Sequence, residues 1–141
     1  MSGIPQDVGL ITHLNARFNN VWPASKDLSA RLYCNFINPA DTNTASSCTE
    51  ATGGGYTPIT LSCGNWVVST VGGIVQAAYP QITFTFTGVL TTNPVIFGYY
   101  VLDGNGVVQW IEPLPVPIQP IINGNYVKIT PIYRISKGTP S

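Results

Sequence analysis

The side chains that could do chemistry are few in this chain of 141 residues. His13 is its only histidine, so a Ser-His-Asp triad or a histidine-containing zinc site would have to use that one residue. It lies beside the apolar stripe of an expected helix, and surface exposure or helix packing suits it better than catalysis. No secretory signal precedes the three cysteines, so we expect reduced thiols rather than a disulfide framework.

The six acidic residues show no pattern typical of a catalytic pair. A glycosidase needs two carboxylates at a set separation across a cleft. Glu50 instead lies in a glycine-rich loop, Asp103 in a turn and Glu112 just before a proline-rich stretch. These carboxylates could converge in space, but nothing in their spacing requires it. We therefore expect a protein that is not an enzyme.

Two glycine-rich stretches resemble ligand loops only in part. The residues from Asp103 to Gly106 lack the spacing of an EF-hand, and Asn-Gly between apolar runs favours a hairpin turn. Gly53, Gly54 and Gly55 are not followed by the Lys-Ser/Thr of a P-loop. They indicate either a flexible connection or a place where the backbone approaches another chain closely. We expect no cofactor and no metal.

The composition points to a surface with very little charge. Charged residues make up 9% of the chain, against about 25% in ordinary soluble domains. A surface of Thr, Ser, Asn, Gln and Tyr loses less on desolvation than one of Lys and Glu, which suggests coverage by partners. Threonine-rich surfaces also simply suit strands. A net charge of zero argues against nucleic acid as a partner, and no apolar run approaches the roughly 20 residues of a membrane span.

The stretch from Tyr79 to Glu112 carries the clearest periodicity. Residues 81–87 alternate apolar and hydroxyl side chains, which predicts a strand with one buried face. Residues 95–102 are apolar on both faces, and residues 107–111 return after the turn at 103–106. These three segments predict an antiparallel meander whose middle strand is covered on both sides.

Further strands are expected at 28–37, 57–63, 66–71, 74–78 and 125–136. In the first, Cys34 and Phe36 fall on the inward face. Gly72 and Gly73 predict a hairpin between two of the strands. In the last strand, alternation turns four residues inward and four outward; the inward ones are Val127, Ile129, Tyr133 and Ile135, and the outward ones Tyr126, Lys128, Thr130 and Arg134. The fold class is all-β, an antiparallel β-sandwich or jelly-roll-like domain.

Three segments are expected to reach beyond the sheets. Residues 4–19 show helical spacing, and the stripe of this short helix must dock on something. The loop 38–56 is longer than most structureless connections, so we expect it to be functional or ordered by a partner. Residues 113–122 alternate proline with apolar side chains, which predicts an extended, polyproline-like arm that must be covered. The expected organisation is a helix and linker arm (1–27), a β-sandwich domain (28–136) and a tail (137–141).

Several segments together resemble a group of small structural proteins of tailed bacteriophages. They are Leu32 to Asn35 with Thr42 to Thr49, Glu50 to Tyr56, Trp66 to Thr70, Phe84 to Gly88, and Val95 to Asp103 with Val107 to Glu112, after a short helix containing proline. The resemblance implies a capsid decoration, or cement, protein. Such a protein would bind the major capsid protein as homotrimers on the outer surface of the virion, assembled in the host cytoplasm. It implies no catalytic residues, and head or tail location stays open.

The first hypothesis is therefore a non-enzymatic virion protein that clamps neighbouring capsid subunits. Its expected partner-binding residues are Ile4, Val8, Ile11, Gly53, Gly54, Gly55, Tyr56, Leu114, Val116 and Ile118. The alternative is a receptor- or carbohydrate-binding β-sandwich, on a phage tail or elsewhere. In that case exposed aromatic rings would stack on sugars; the candidates are Trp66, Tyr100, Trp110 and Tyr126.

Overall fold

A computed structural model of the protein describes Phe18 and residues 27–38 and 43–135. Phe18 is helical and buried. The rest of the expected N-terminal helix, with Ile4, Val8 and Ile11, lies outside the described residues, as does the tail at 137–141. The structure is all-β and antiparallel, as the sequence predicts.

In the described residues, nine strands make up three sheets. They are β1 (Leu28–Tyr33), β2 (Ile59–Leu61), β3 (Val67–Val71), β4 (Ile74–Ala78), β5 (Ile82–Thr85), β6 (Ile96–Leu102), β7 (Val108–Ile118), β8 (Tyr126–Ile129) and β9 (Ile132–Ile135). A short 3-10 turn spans Ala45–Ser47. The sheets have the strand orders β2-β1-β6-β7, β3-β4-β9 and β5-β8.

Strand β6 lies in the middle of the largest sheet, between β1 and β7. Its residues are buried on both faces with the partial exception of Phe97, as its doubly apolar sequence predicts. The expected meander is wrong in one respect, because β5 pairs with β8 and not with β6. Alternation of side chains identifies the buried face of a strand, but it does not identify the neighbouring strand.

The two smaller sheets form one kinked ribbon. β4 pairs with β9, β5 pairs with β8, and the ladders follow one another along the same two chain segments. Pro80 and Pro131 interrupt the ribbon because proline has no backbone N–H to donate. The Tyr79 N–H still donates to the Pro131 carbonyl at 2.9 Å across this break.

One extra residue lies on the β4–β5 side of the kink. Ala78 and Ile82 are four residues apart along the chain, whereas their pairing partners Ile132 and Ile129 are three residues apart. This is the arrangement of a β-bulge, which bends a strand and exchanges its faces. The bulge explains why Val75 and Ile82 both point into the core, although one position is odd-numbered and the other even-numbered. The other segment keeps its alternation, so the predicted inward and outward faces of 126–135 are confirmed, although the segment is two strands.

A single main core receives side chains from all three sheets. Its aromatic part is built around Trp66, which lies 4.5 Å from the Phe18 ring and 6.2 Å from the Trp110 ring. Strands β1, β2, β4, β5, β6 and β8 contribute the aliphatic and Phe side chains. Burial of each large apolar side chain stabilises the fold by about 1.5 to 3 kcal/mol relative to leaving it exposed.

A second, smaller core lies on the opposite face of β1 and β6. It contains Tyr33, Cys48, Tyr100 and Leu102, and the loop after β1 covers it. The Cys34 N–H donates to the Thr49 carbonyl at 2.9 Å, which holds that loop against the end of the strand. The described part of the long loop is therefore ordered by the chain's own contacts.

Strand β1 ends earlier than predicted. Cys34 is buried as expected, but the expectation that Phe36 faces inward is wrong, since it is 73% exposed. The side chain of Asn35 donates to the Ser47 carbonyl at 2.9 Å and accepts from the Thr49 N–H at 2.7 Å. These bonds replace the strand ladder and turn the chain away from the sheet.

The proline-rich segment is not a free polyproline arm. Its first half belongs to β7, which forms an edge of the four-stranded sheet. An edge is the place in a sheet where proline is tolerated. The pairing is irregular, because Ile96 and Gly98 of β6 face Ile118 and Pro113. The intervening residues of β7 therefore bulge from the ladder.

Gly98 marks the tightest packing beside the central strand. A Cβ atom at this position would collide with the Glu112 carbonyl oxygen and with the Tyr33 hydroxyl group. Since one of these is backbone, we expect Gly98→Ala to lower the free energy of unfolding by about 2 to 3 kcal/mol. Denaturant unfolding measures this loss.

Gly88→Ala is the matched control for that experiment. No atom lies within 4 Å of a Cβ built on Gly88. Its effect should stay within about 0.5 kcal/mol. Equal stabilities of the two variants would contradict the packing of Tyr33 over Gly98.

Candidate interaction surfaces

Glu50 is held by an internal network that ties the long loop to β1. Its carboxylate accepts from Arg31 Nη1 at 2.9 Å on one oxygen and from the Tyr56 hydroxyl at 2.8 Å on the other. The Tyr56 oxygen in turn accepts from the Leu32 N–H at 3.1 Å. Glu50 thus joins a loop to a strand, which is a structural role.

The three consecutive glycines provide close backbone contact within the chain itself. All three have positive φ, between 58° and 79°. A Cβ on Gly54 would lie 2.7 Å from the Gly88 carbonyl oxygen. The Thr87 N–H donates to the Gly54 carbonyl at 2.8 Å, and the Thr91 N–H to that of Thr52 at the same distance. Of the two interpretations of this stretch, close approach is the one observed, but the segment approached is the turn after β5 of the same molecule.

Tyr56 is likewise used internally. Its ring stacks on Phe84 at a centroid distance of 5.9 Å, and burial raises the pKa of its hydroxyl group far above the usual range for tyrosine. Together with Gly53, Gly54 and Gly55, it makes four expected partner-binding residues that hold the loop to other parts of the same molecule.

Two further groups in the small core are perturbed by burial. Desolvation, followed by the nearby Cys48 and Glu112, raises the pKa of Tyr33 to about 12. Burial raises the pKa of the Cys48 thiol to about 11. The Tyr33 hydroxyl group is buried and has no hydrogen-bond partner among the described residues. Such groups remain protonated at neutral pH, so they do not form an activated nucleophile.

The carboxylates near the 103–106 turn are also used in the fold. Asp103 Oδ1 accepts from the backbone N–H groups of Asn105 and Val107 at 2.8 and 2.9 Å, which confirms the predicted turn. Asp27 accepts from the Cys63 N–H at 3.3 Å. These two carboxylates and Arg31 line an open depression of about 460 Å³. Within the described part of the chain, no group of three or more His, Cys, Asp or Glu could hold a metal ion.

No protein-family model matches the chain, and no curated protein or solved structure matches it either. Across residues 27–38 and 43–135, no helix is long and apolar enough to cross a membrane.

An apolar surface covers the outer face of the β3-β4-β9 sheet. Register places Val67 beside Ala78, Val71 beside Ile74, and Ala78 beside Ile132. Val67 is 63% exposed, Val71 56% and Ile74 38%. The alternate residues, such as Val75 and Ala77, are buried in the core. We call this surface the outer face, and its polar members are Ser69, Gln76 and Arg134.

A second apolar surface follows the proline-rich segment. We call residues 113–122 the proline rim. Val116 is 70% exposed, and Ile121 and Ile122 are each 63% exposed. Leu114 and Ile118, in contrast, pack against the main core. Of the three partner-binding residues expected in this segment, the structure leaves Val116 on the surface.

Sequence reasoning missed the outer face, although a signal for it was present. The segments 66–71 and 74–78 carry apolar residues at both odd and even positions. A half-buried strand shows alternation, and a strand covered on both faces does not. Because these strands have one face in the core, the second apolar set is left on the surface.

We expect Tyr56→Phe to lower the free energy of unfolding by about 1 to 3 kcal/mol. The substitution keeps the ring on Phe84 but removes the oxygen that accepts from the Leu32 N–H, leaving a half-buried donor unpaired. Denaturant unfolding measures the loss. Tyr126→Phe, at a 57% exposed site, is the control and should change little. Equal effects of the two changes would argue against the loop network.

Stability should fall in alkaline solution. The pKa of Tyr33 rises from 10.0 to about 12 on folding, so its contribution is complete below pH 10.0 and is lost as the pH rises towards 12. Cys48, with a pKa raised from 9.0 to about 11, extends the loss to lower pH. The denaturant midpoint should therefore decrease between pH about 9 and about 12. Tyr33→Phe should reduce this decrease, and an unchanged slope in that variant would contradict the assignment.

Proposed function

We propose that this chain is a non-enzymatic structural protein of a phage virion. In this proposal it is a decoration, or cement, protein that binds the major capsid protein on the outer surface of the head and stabilises the shell. The proposal includes the finer description of the fold, a β-sandwich with jelly-roll-like character. The resemblance noted in the sequence suggests the class, and the observation that carries the proposal is the pair of exposed apolar surfaces with little or no charge.

The surface chemistry of the described residues supports an adhesive role. The proline rim carries no charged side chain between residues 113 and 122. The outer face carries one, Arg134. Depletion of charged residues is the compositional signature of the buried centre of protein interfaces, more than overall hydrophobicity is. An exposed apolar area that is contiguous and bordered by polar groups is typical of a binding site.

The proline rim suits attachment for an entropic reason as well. Prolines fix φ near −65°, so the segment loses little conformational freedom when a partner covers it. Leu114 and Ile118 anchor the segment in the core, while Val116 projects between them. Repeated on many copies around a shell, a modest contact of this kind becomes strong attachment through multivalency.

Self-association is part of the proposal, and homotrimers are the form that the resemblance implies. A three-fold ring joins two different patches of neighbouring copies. The outer face and the proline rim are two such patches in the described part of the chain. The partner-binding roles of Ile4, Val8 and Ile11 remain part of the proposal and concern residues outside that part.

The alternative function is a carbohydrate- or receptor-binding module. Fewer aromatic rings are accessible to a sugar than this alternative expects, because Tyr100 and Trp66 are buried and Trp110 packs in the aromatic core. Tyr126 is exposed, and the Lys128 ammonium group lies 5.2 Å from its ring centroid. A specific hit on a glycan array that disappears in Tyr126→Ala would favour this alternative over the capsid role.

We expect Val116→Asp to reduce the occupancy of the protein on heads about ten-fold or more, because burying an unpaired carboxylate in an apolar contact is unfavourable. The measurement is binding of purified protein to heads that lack it, followed by release of DNA on heating. Deletion of residues 113–120 would be less informative, since it would also remove Leu114 and Ile118 from the core.

Thr85→Asp provides the matched control. Thr85 is exposed on β5, so the variant gains the same charge away from the proline rim and should bind as the unmodified protein does. Full occupancy by both variants would remove the proline rim from the proposal. Failure of the unmodified protein to bind heads at all would refute the capsid role.

A further inference from the structure

The two long edge strands of the molecule are protected very differently. β7 carries Pro113, Pro115 and Pro117, which remove backbone donors and discourage pairing with another strand. β3, the edge of the β3-β4-β9 sheet, contains no proline, glycine or charged residue in Val67–Val71. No described strand lies on its far side. An unprotected edge of this kind presents a row of backbone groups to which another strand can pair.

The hairpin after β3 determines which backbone groups face outward. Gly72 and Gly73 both have positive φ, 56° and 79°, as in a type I′ turn, and Val71 pairs with Ile74. The turn's own hydrogen bond joins these two flanking residues. Bonded and non-bonded pairs alternate along an antiparallel ladder. Val67, Ser69 and Val71 therefore bond to β4, and the N–H and C=O groups of Val68 and Thr70 point to the open edge.

We propose that β3 pairs antiparallel with β3 of a second copy of this chain, about a two-fold axis at Ser69. In this register Val68 lies opposite Thr70 of the other copy. By symmetry, Thr70 lies opposite Val68 of the other copy. Both members of each pair have their backbone groups directed outward, so four hydrogen bonds form. Shifting the register by one residue would set these outward N–H and C=O groups opposite backbone groups that already bond to β4. Shifting it by two residues would leave fewer hydrogen-bonded residue pairs between the two copies.

The side chains of β3 fit the same arrangement. Two-fold pairing at Ser69 sets Val67 of one copy beside Val71 of the other, which brings the two most exposed valines of the outer face into contact. Cross-strand pairs of β-branched residues are favourable in sheets. No like charges meet, because β3 carries none. The strand is thus complementary to itself, which is the requirement for an isologous contact.

The product is a continuous six-stranded sheet with one extended outer face. It joins the apolar residues Val67, Val71 and Ile74 of both copies and leaves Arg134 on β9, two strands from the junction. This inference stands independently of the virion role, since it depends only on the edge and its register. It predicts assembly in even numbers of copies, in contrast to the trimer that the resemblance implies.

Ser69→Lys tests the contact at its centre. The substitution places two like charges directly opposite each other across the two-fold axis, and in the single copy the new side chain lies on the outer face beside Gln76. We expect the dissociation constant of the pair, measured by sedimentation over a range of concentrations, to rise at least about ten-fold. Thr85→Lys, a matched charge on an exposed strand position, should leave it unchanged.

Mixing two charged variants gives a sharper test. Ser69→Lys and Ser69→Glu should each be single copies, and their mixture should recover a pair containing one of each. Recovery is expected because the axis at Ser69 makes every residue 69 face residue 69 of its partner. A patch contact elsewhere on the surface would not produce this pattern. Melting temperatures close to that of the unmodified protein exclude a folding defect as the cause.

Cross-linking provides a second measurement that does not depend on a strong contact. The central pair is a non-hydrogen-bonded one, with Cα atoms about 4.5 Å apart, a separation that a disulfide spans. Under oxidation, Ser69→Cys should form covalent dimers much faster than Thr85→Cys or the unmodified protein, whose own cysteines serve as the background. A mass of one copy at all concentrations, a mass of three copies, or equal cross-linking rates would overturn the pairing; a mass of three copies would leave the proposed virion role intact.

Discussion

The burial of β6 on both faces is the constraint on which the rest of the structure depends. Its neighbours β1 and β7 satisfy its backbone, and the main core and the small core cover its two faces. A strand of this kind has no solvent-facing side on which charged residues could be placed. Each of its faces must be covered by another part of the chain, and the loop after β1 supplies the cover for one of them. Gly98 makes that cover possible, because the Tyr33 side chain occupies the space where a Cβ would stand.

The scarcity of charge determines how the loops are held. Where many proteins use several ion pairs, the described residues show one, between Arg31 and Glu50 at 2.9 Å. Several of the other attachments are neutral hydrogen bonds, such as those between Asn35 and the 47–49 backbone and between Thr91 and Thr52. Neutral bonds are insensitive to salt, whereas exposed ion pairs weaken as ionic strength rises. The anchoring of these loops should therefore persist over a wide range of ionic conditions.

The all-β, antiparallel character and the buried faces of several strands followed from the sequence because side-chain alternation reports burial directly. The predicted inward residues Val127 and Ile129 are buried, and the hairpin at Gly72 lies where the glycine pair indicates. The neighbours β3–β4 and β6–β7, which are joined by short turns, were predicted correctly. The neighbour of β5 was not, since β5 pairs with a segment about forty residues later in the chain, and periodicity contains no information about pairing. The proline segment was misjudged for a related reason. Proline excludes the middle of a sheet but permits its edge, and the sequence does not distinguish an edge from a free arm.

The residues expected to bind partners show the same limit of sequence information. Glycines indicated correctly that backbone would approach backbone closely, but a sequence does not show whether the approaching segment belongs to the same chain. At Gly54 the segment that approaches is the chain's own turn after β5, so the contact stabilises the fold and is not offered to a partner. Other apolar residues stay exposed because the sheets do not cover them. Two groups of these residues lie at an edge protected by prolines and at an edge left open, and that difference in edge chemistry separates a surface suited to side-chain contact from one suited to strand pairing.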